Sequence, residues 1–304
     1  MKKPILFVGT ATADIIALVD HLPKSDERIA ALNLIKCGGG PAANAAVSAQ
    51  TLGAPCSIIT AVGDDSTGKE IIQELSDYKI DVSGIQTIEN GISSTSCIQV
   101  ERSSGSRSIT YYGGSLSSYE LNNFPSILIE NCSIIHADGN NPELTLQAFK
   151  LGKEKGKTTS LDGGNISDEN LQKLLPYVDV YITDSKSIPQ WAFFDDLKST
   201  CKILTERGPK LVAVTLGKKG CLMFDTKQYY QSSGIEITVV DTTGAGDNFH
   251  GAFVYGLWRD LSYEECLELA NTFAALSCQG LGGRRCLPTY EYIAENFLNK
   301  ITHN

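Results

Sequence analysis

A chain of 304 residues with 42% apolar and 20% charged residues has the length of one large α/β domain and the make-up of a soluble globular protein. Its net charge of −9 argues against nucleic acid or an anionic membrane as main partner, yet leaves room for phosphate held by local backbone dipoles. Nine scattered cysteines without a Cys-x-x-Cys pair read as reduced core thiols of a cytoplasmic protein, and exclude a zinc site or a disulfide framework as the organising feature.

The opening run Ile5–Gly9 is too short for a signal-peptide core and predicts a first buried strand. No apolar run approaches transmembrane length. Short β-branched runs predict further strands at Ser57–Val62, Ile134–Asp138, Thr158–Asp162, Val178–Thr183 and Leu211–Leu216. Between them, helical spacing of apolar residues predicts Ala42–Leu52, Thr67–Tyr78, Pro142–Lys155, Glu169–Leu175 and Trp191–Glu206. This alternation specifies an α/β fold with a mostly parallel sheet covered on both faces. Ligands of such sheets bind beyond the carboxyl ends of the strands, where Asp138, Asp162 and Thr215 fall. Two stretches break the rhythm: Arg28–Lys36 and Thr95–Tyr112 read as strands with no helix between neighbours. The second holds a hairpin turn at Arg102-Ser103-Ser104-Gly105-Ser106. No repeat or linker divides the chain, so residues 1–304 are expected to form one domain.

The most informative stretch is Asp241-Thr242-Thr243-Gly244-Ala245-Gly246-Asp247, followed by Asn248–Phe253. A β-branched run, Ile235–Val240, precedes it as an expected extended segment. Phe249, Ala252, Phe253 and Leu257 recur behind it at helical spacing. Free N–H groups and the helix macrodipole make such a junction a seat for negative charge. Gly244 and Gly246 permit close approach, and Asp247 stands ready to accept a proton from an attacking hydroxyl. An anion cradle beside a base is the equipment of phosphoryl transfer.

Asp241–Phe253 resembles the C-terminal signature of the ribokinase-like (PfkB) carbohydrate kinases. Gly38-Gly39-Gly40-Pro41-Ala42-Ala43-Asn44-Ala45-Ala46 resembles their N-terminal signature, about two hundred residues earlier and in the family's order. The resemblance implies a three-layer α/β/α fold with a small β-sheet lid, formed by insertions at about 14–38 and 92–114. It implies a phosphotransferase that uses ATP, Mg²⁺ and a monovalent cation such as K⁺. Gly244, Ala245, Gly246 and Asp247 are then catalytic, with the N–H groups of Ala245, Gly246 and Asp247 holding transition-state charge. Asp14, Gly39, Gly40 and Asn44 contact the sugar, for which carboxylate and amide are the right tools. Arg107 resembles an arginine by which ketohexokinases reach their active site. Thr215, Gly217, Gly220 and Asn271 are the expected nucleotide contacts, and Gly280–Arg285 is the expected mobile cover of the nucleotide. The family's metal-holding Asn-x-x-Glu is replaced by Thr183-Asp184-Ser185-Lys186, which leaves the magnesium ligands unassigned.

Within the family the pattern resembles ketohexokinases (Leu52-Gly53-Ala54-Pro55-Cys56, Thr95-Ser96-Cys97, His136) and sulfofructose kinases (Leu161-Asp162-Gly163, Gly282-Gly283-Arg284). The expected acceptor is therefore a hydroxymethyl group of a furanose ketohexose such as fructose. Ribokinase, a nucleoside or small-alcohol kinase, and a silent sugar sensor are the alternatives. A dehydrogenase is rejected: Gly38-x-Gly40-x-x-Ala43 fits a dinucleotide pattern but does not follow the first strand. Lid residues Ile29, Leu32, Leu34 and Ile98 supply apolar surface for a homodimer, and a monomer reads equally well.

Overall fold

The computed structural model describes residues 2–116, 124–194 and 196–298. The chain opens with β1 (Ile5–Val8), β2 (Thr12–Val19), β3 (Asn33–Gly39), α1 (Pro41–Thr51), β4 (Cys56–Gly63), α2 (Ser66–Asp77) and β5 (Asp81–Ile88). Next come β6 (Thr95–Glu101), β7 (Arg107–Tyr112), α3 (Ser126–Asn131), β8 (Ile134–Ala137), α4 (Pro142–Glu154), β9 (Thr158–Asp162) and α5 (Asp168–Leu174). The last third holds β10 (Val180–Asp184), α6 (Leu197–Thr205), β11 (Leu211–Thr215), β12 (Cys221–Phe224), β13 (Tyr229–Ser232), α7 (Ala245–Arg259), α8 (Tyr263–Ser277) and α9 (Tyr290–Ile293).

Nine strands form one sheet in the order β13-β12-β11-β10-β9-β8-β1-β4-β5. Every pairing from β11 to β5 is parallel, and only β12 and β13 run antiparallel. Alternation along β1 shows why the sheet is buried on both faces. Ile5 and Phe7 join a core with α1, α2, α7 and α8, whereas Leu6 and Val8 join a second core with α3, α4, α5 and α6. Each such side chain, fully buried, contributes about 1.5–3 kcal/mol. The parallel strands thus present their carboxyl ends at one rim, which is where the site lies.

The other four strands form a separate sheet, β3-β2-β6-β7, which is the lid. Its inner face has a small core of Ile16, Ile98 and Val100, backed by Leu18, Ile35, Cys37 and Leu281. The expected hairpin turn is present: β6 and β7 pair antiparallel with Val100 opposite Arg107.

Two predicted elements differ from expectation, and one expected extended segment stays outside the sheet. Trp191–Glu206 is not one helix. After a short 3₁₀ turn at Gln190–Ala192 the helix restarts at Leu197, because the Asp196 carboxylate accepts from the N–H groups of Lys198 and Ser199 and caps it. Ile235–Val240 makes no strand: it finds no ladder, and Val240 N–H donates instead to Cys278 O. In Arg28–Lys36 only Asn33 onward is strand. The edge strand β5 escaped the periodicity because it is exposed along one side and carries a glycine, and β13 and α3 escaped because four and six residues are too short to show a period.

Candidate active site

Two helices meet at the rim. α1 starts at Pro41, in the first helical position, after Gly40 with φ +90. Its buried alanines let it lie close against α7, where a Cβ on Gly251 would come 2.3 Å from Ala45 O. Gly244, in the left-handed region at φ +73, is the N-cap of α7. Packed this way, the first turns of both helices face each other across the rim. Asn44 Nδ2 donates to Asp247 Oδ2 at 2.8 Å. That single bond joins residues some two hundred positions apart in the chain. Burial pushes the Asp247 carboxyl up to about 6, helped by the nearby Asp162 charge and opposed by Asn44, His250 and Arg107.

Asn248, the next residue, locks the junction. Its Nδ2 donates to Ser277 Oγ and Gly283 O, while its Oδ1 accepts from Ser48 Oγ at 2.8 Å. Asp241 does the same upstream, accepting from Thr243 N–H and Gly282 N–H, each at 2.8 Å. Of the three N–H groups expected to hold charge, that of Ala245 already donates to Thr242 O at 3.3 Å. Those of Gly246 and Asp247 lie in the first helical turn, which has no intrahelical acceptor to offer them. Space around Gly246 is open, with no atom within 4 Å of a would-be Cβ.

Asp14, on β2, is buried and accepts from Thr12 Oγ1 at 2.7 Å. Burial raises its carboxyl, against the lowering effect of the Thr12 and Ser96 hydroxyls. Gly39 lies against it so closely that a Cβ there would fall 2.0 Å from Asp14 Oδ2. Asp138, just past β8, accepts from Thr10 N–H at 2.7 Å and Ala42 N–H at 3.3 Å, tying the β1–β2 turn to the start of α1. Beside that turn opens a cavity of about 580 Å³, lined by Thr10, Tyr111, Asn140, Asn141, Glu143 and Asn170 among others. Its described lining contains no lysine or arginine.

Arg107 reaches from the lid to the other half of the site: its Nη1 donates to Thr242 Oγ1 at 2.7 Å. Thr242 in turn donates through Oγ1 and N–H to Gly105 O, at the tip of the lid hairpin. The nucleotide candidates sit apart from this cluster. Thr215 ends β11, and Gly217 at φ +58 and Gly220 at φ +93 make the turn into β12. A Cβ on Gly220 would lie 2.0 Å from Ser232 O, so that glycine is required by packing. Asn271, on α8, donates to Ser233 O at 2.6 Å, which fixes the loop after β13.

The loop Gly280–Arg285 is not the free cover expected. Gly282 N–H is held by Asp241, Gly283 O by Asn248, and Arg284 is buried, donating through Nη2 to Gly39 O at 2.9 Å. Sequence reading missed Asp241, Asn248 and Arg284 as stitches; the available signal was a polar residue at each end of the Thr242–Asp247 run and an arginine straight after Gly282-Gly283. Asp184 is spent within its own turn, accepting from Lys186 N–H and Ser187 Oγ. No cluster of three or more metal-ligating side chains occurs among the described residues.

Comparison with known proteins shows the family and the fold. The family described as pfkB family carbohydrate kinase matches residues 2–290. Among similar proteins, a ribokinase of Arabidopsis thaliana is 28% identical over 94% of this chain and 78% of its own. A ribokinase of Haemophilus influenzae is 26% identical over 97% and 98%. The structure of Arabidopsis thaliana ribokinase complexed with ribose and ATP superposes with a TM-score of 0.83 at 27% identity, covering 97% of this chain and 98% of that one.

Proposed function

Because the chain belongs to the pfkB family of carbohydrate kinases, we propose that it transfers the terminal phosphoryl group of ATP to a hydroxymethyl group of a furanose sugar, with Asp247 as the base. The observation that carries this reading is Asp247 in the first turn of α7, held by Asn44 at 2.8 Å beside N–H groups with no intrahelical acceptor. Sugar binds under the lid against Asp14, Gly39, Gly40 and Asn44. Asp247 takes the proton of the attacking hydroxyl as the new O–P bond forms and the bond to ADP breaks. The Gly246 and Asp247 N–H groups meet the charge that gathers on the phosphoryl oxygens. Thr215, Gly217, Gly220 and Asn271 form the nucleotide wall, Asn271 acting there by fixing the Ser232–Gly234 loop.

Mg²⁺ neutralises the polyphosphate when bound. The residues here suit an ion carried by phosphate oxygens and water, since no protein cage is present among the described residues. Ribokinases among the relatives support ribose as the first acceptor to test, with ketohexoses next. Of the lid residues expected to supply apolar surface, Leu32 and Leu34 are exposed and Ile29 half-buried, whereas Ile98 is buried in the lid core and supplies none; the exposed pair supports pairing of two copies, testable by sedimentation.

The deciding experiment is ADP release with MgATP against ribose, fructose, tagatose, 6-deoxy-6-sulfofructose, fructose phosphates and adenosine. One acceptor is expected to stand far above the rest. Asp247→Asn is expected to lose about 10²–10⁴ in kcat while binding that sugar by calorimetry as the parent does. Binding without turnover across the whole panel would favour a sugar sensor instead.

A further inference from the structure

Beneath the first turn of α7 lies a buried polar cluster that the proposed transfer leaves unused. His250 stands one turn beyond Asp247 and is buried. Its Nε2 lies 3.4 Å from Oδ1 of Asp162, the last residue of β9. That same oxygen accepts from Gly164 N–H at 2.8 Å, so the strand end fixes the carboxylate. His250 Nδ1 is buried with no hydrogen-bond partner among the described residues. On β8, His136 places its ring 5.2 Å from that of His250 and shares a 3.0 Å hydrogen bond with Ser160 Oγ.

We infer that His250 is a positioning residue for the transfer: anchored by Asp162, it carries positive charge beneath Asp247 and keeps that carboxylate deprotonated. The inference rests on Asp247 being the base. Three carboxylates act on His250: Asp162 from β9, Asp247 from its own helix and Asp184 from β10. The fourth titratable neighbour, His136, is driven by burial down to about 3 and stays neutral. Arg107, from the lid, is the other cation acting on Asp247.

Two carboxylates in a poorly solvated site oppose each other's ionisation, and a cation between them relieves that opposition. The directions agree. Burial disfavours the charged imidazole, yet the Asp162 carboxylate, with Asp247 and Asp184 behind it, holds His250 above its ordinary value. Burial likewise works against the Asp162 anion, yet His250 holds it below the usual carboxylate range. A polyphosphate arriving at the same helix end adds negative charge there and raises the worth of the buried cation.

The test has two arms. In the wild-type protein, NMR titration of the His250 ring is expected to show it protonated at pH 7. In a pH profile of kcat/KM with the preferred sugar, His250→Gln is expected to shift the acid limb up by about one pH unit, a roughly tenfold loss on that limb. Sugar KM at the plateau stays within about twofold. A limb that does not move in folded His250→Gln, or a ring neutral at pH 7, overturns the inference. The ring measurement needs no variant, so it decides even if His250→Gln fails to fold. Asp247→Asn run alongside separates the two readings: activity retained there removes the base and this inference with it, whereas activity lost there with an unmoved limb removes only the role of His250.

Discussion

Asp247 holds its proton until about pH 6, and this has two consequences of opposite sign. For the proposed turnover, with Asp247 as the base, the carboxylate is ready above that value and protonated below it, so kcat/KM is expected to fall about tenfold per pH unit on the acid side. For stability, the folded value lies above the unfolded one of about 3.9, so the native state binds the extra proton between roughly pH 4 and 6. The favourable contribution is present in acid and is lost as pH rises through about 6. At pH 7 the ionised carboxylate therefore costs up to about 3 kcal/mol, less for the part of it that solvent screens. Asp247→Asn is expected to melt higher than the parent at pH 7 and at the same temperature below pH 4, read by scanning calorimetry. Asp247 and the glycines before it were legible in the sequence because the chemistry demands those residue types at that spacing. His250 was not, since a histidine on an otherwise apolar helix face gives no sign of the carboxylate that β9 brings to it.

At the scale of elements, each parallel strand could be read because its apolar run is continuous and buried on both faces, as in Ile5–Val8 and Leu211–Thr215. What could not be read is where neighbouring polar groups interrupt a pattern. Asp196 restarts a helix that apolar spacing alone carries back to Trp191. The loop at Gly280–Arg285 reads as mobile because it is rich in glycine. Yet the glycines are there so that Gly283 can pack on Gly244 and Arg284 can reach Gly39. The lid hairpin gives the prediction that belongs here. Arg107→Met removes the bond to Thr242 without touching the core of the lid. Sugar KM is expected to rise about fivefold, matching the roughly 1 kcal/mol that an exposed charge-assisted bond supplies. The ratio of ADP formed to sugar phosphate formed is expected to exceed that of the parent, because a looser lid admits water. An unchanged ratio would mean that the hairpin does not shield the transfer.

For the molecule as a whole, the sheet separates two cores and leaves the thiols inside them. Six cysteines are buried and only Cys97 and Cys286 are exposed. Burial pushes Cys132 up to about 11 and Cys201, Cys221 and Cys266 up to about 12, so these stay as unreactive thiols. A thiol reagent is expected to label Cys97 and Cys286 quickly in the native protein and all nine cysteines after unfolding. Melting is expected to be the same with and without reductant, since no disulfide contributes. Fast labelling of more than these two would show that one of the cores opens.

Gly105 at the hairpin tip is gripped by the Thr242 side chain and backbone, two residues before the cap of α7. A sugar entering or leaving the proposed site is expected to lift that tip, and the run into the helix then to lose one of its anchors. Sugar first and nucleotide second is the expected order of arrival. A non-hydrolysable ATP analogue is therefore expected to inhibit uncompetitively with respect to sugar, the mark of a compulsory sequence, and a noncompetitive pattern would show that the cradle forms without the hairpin.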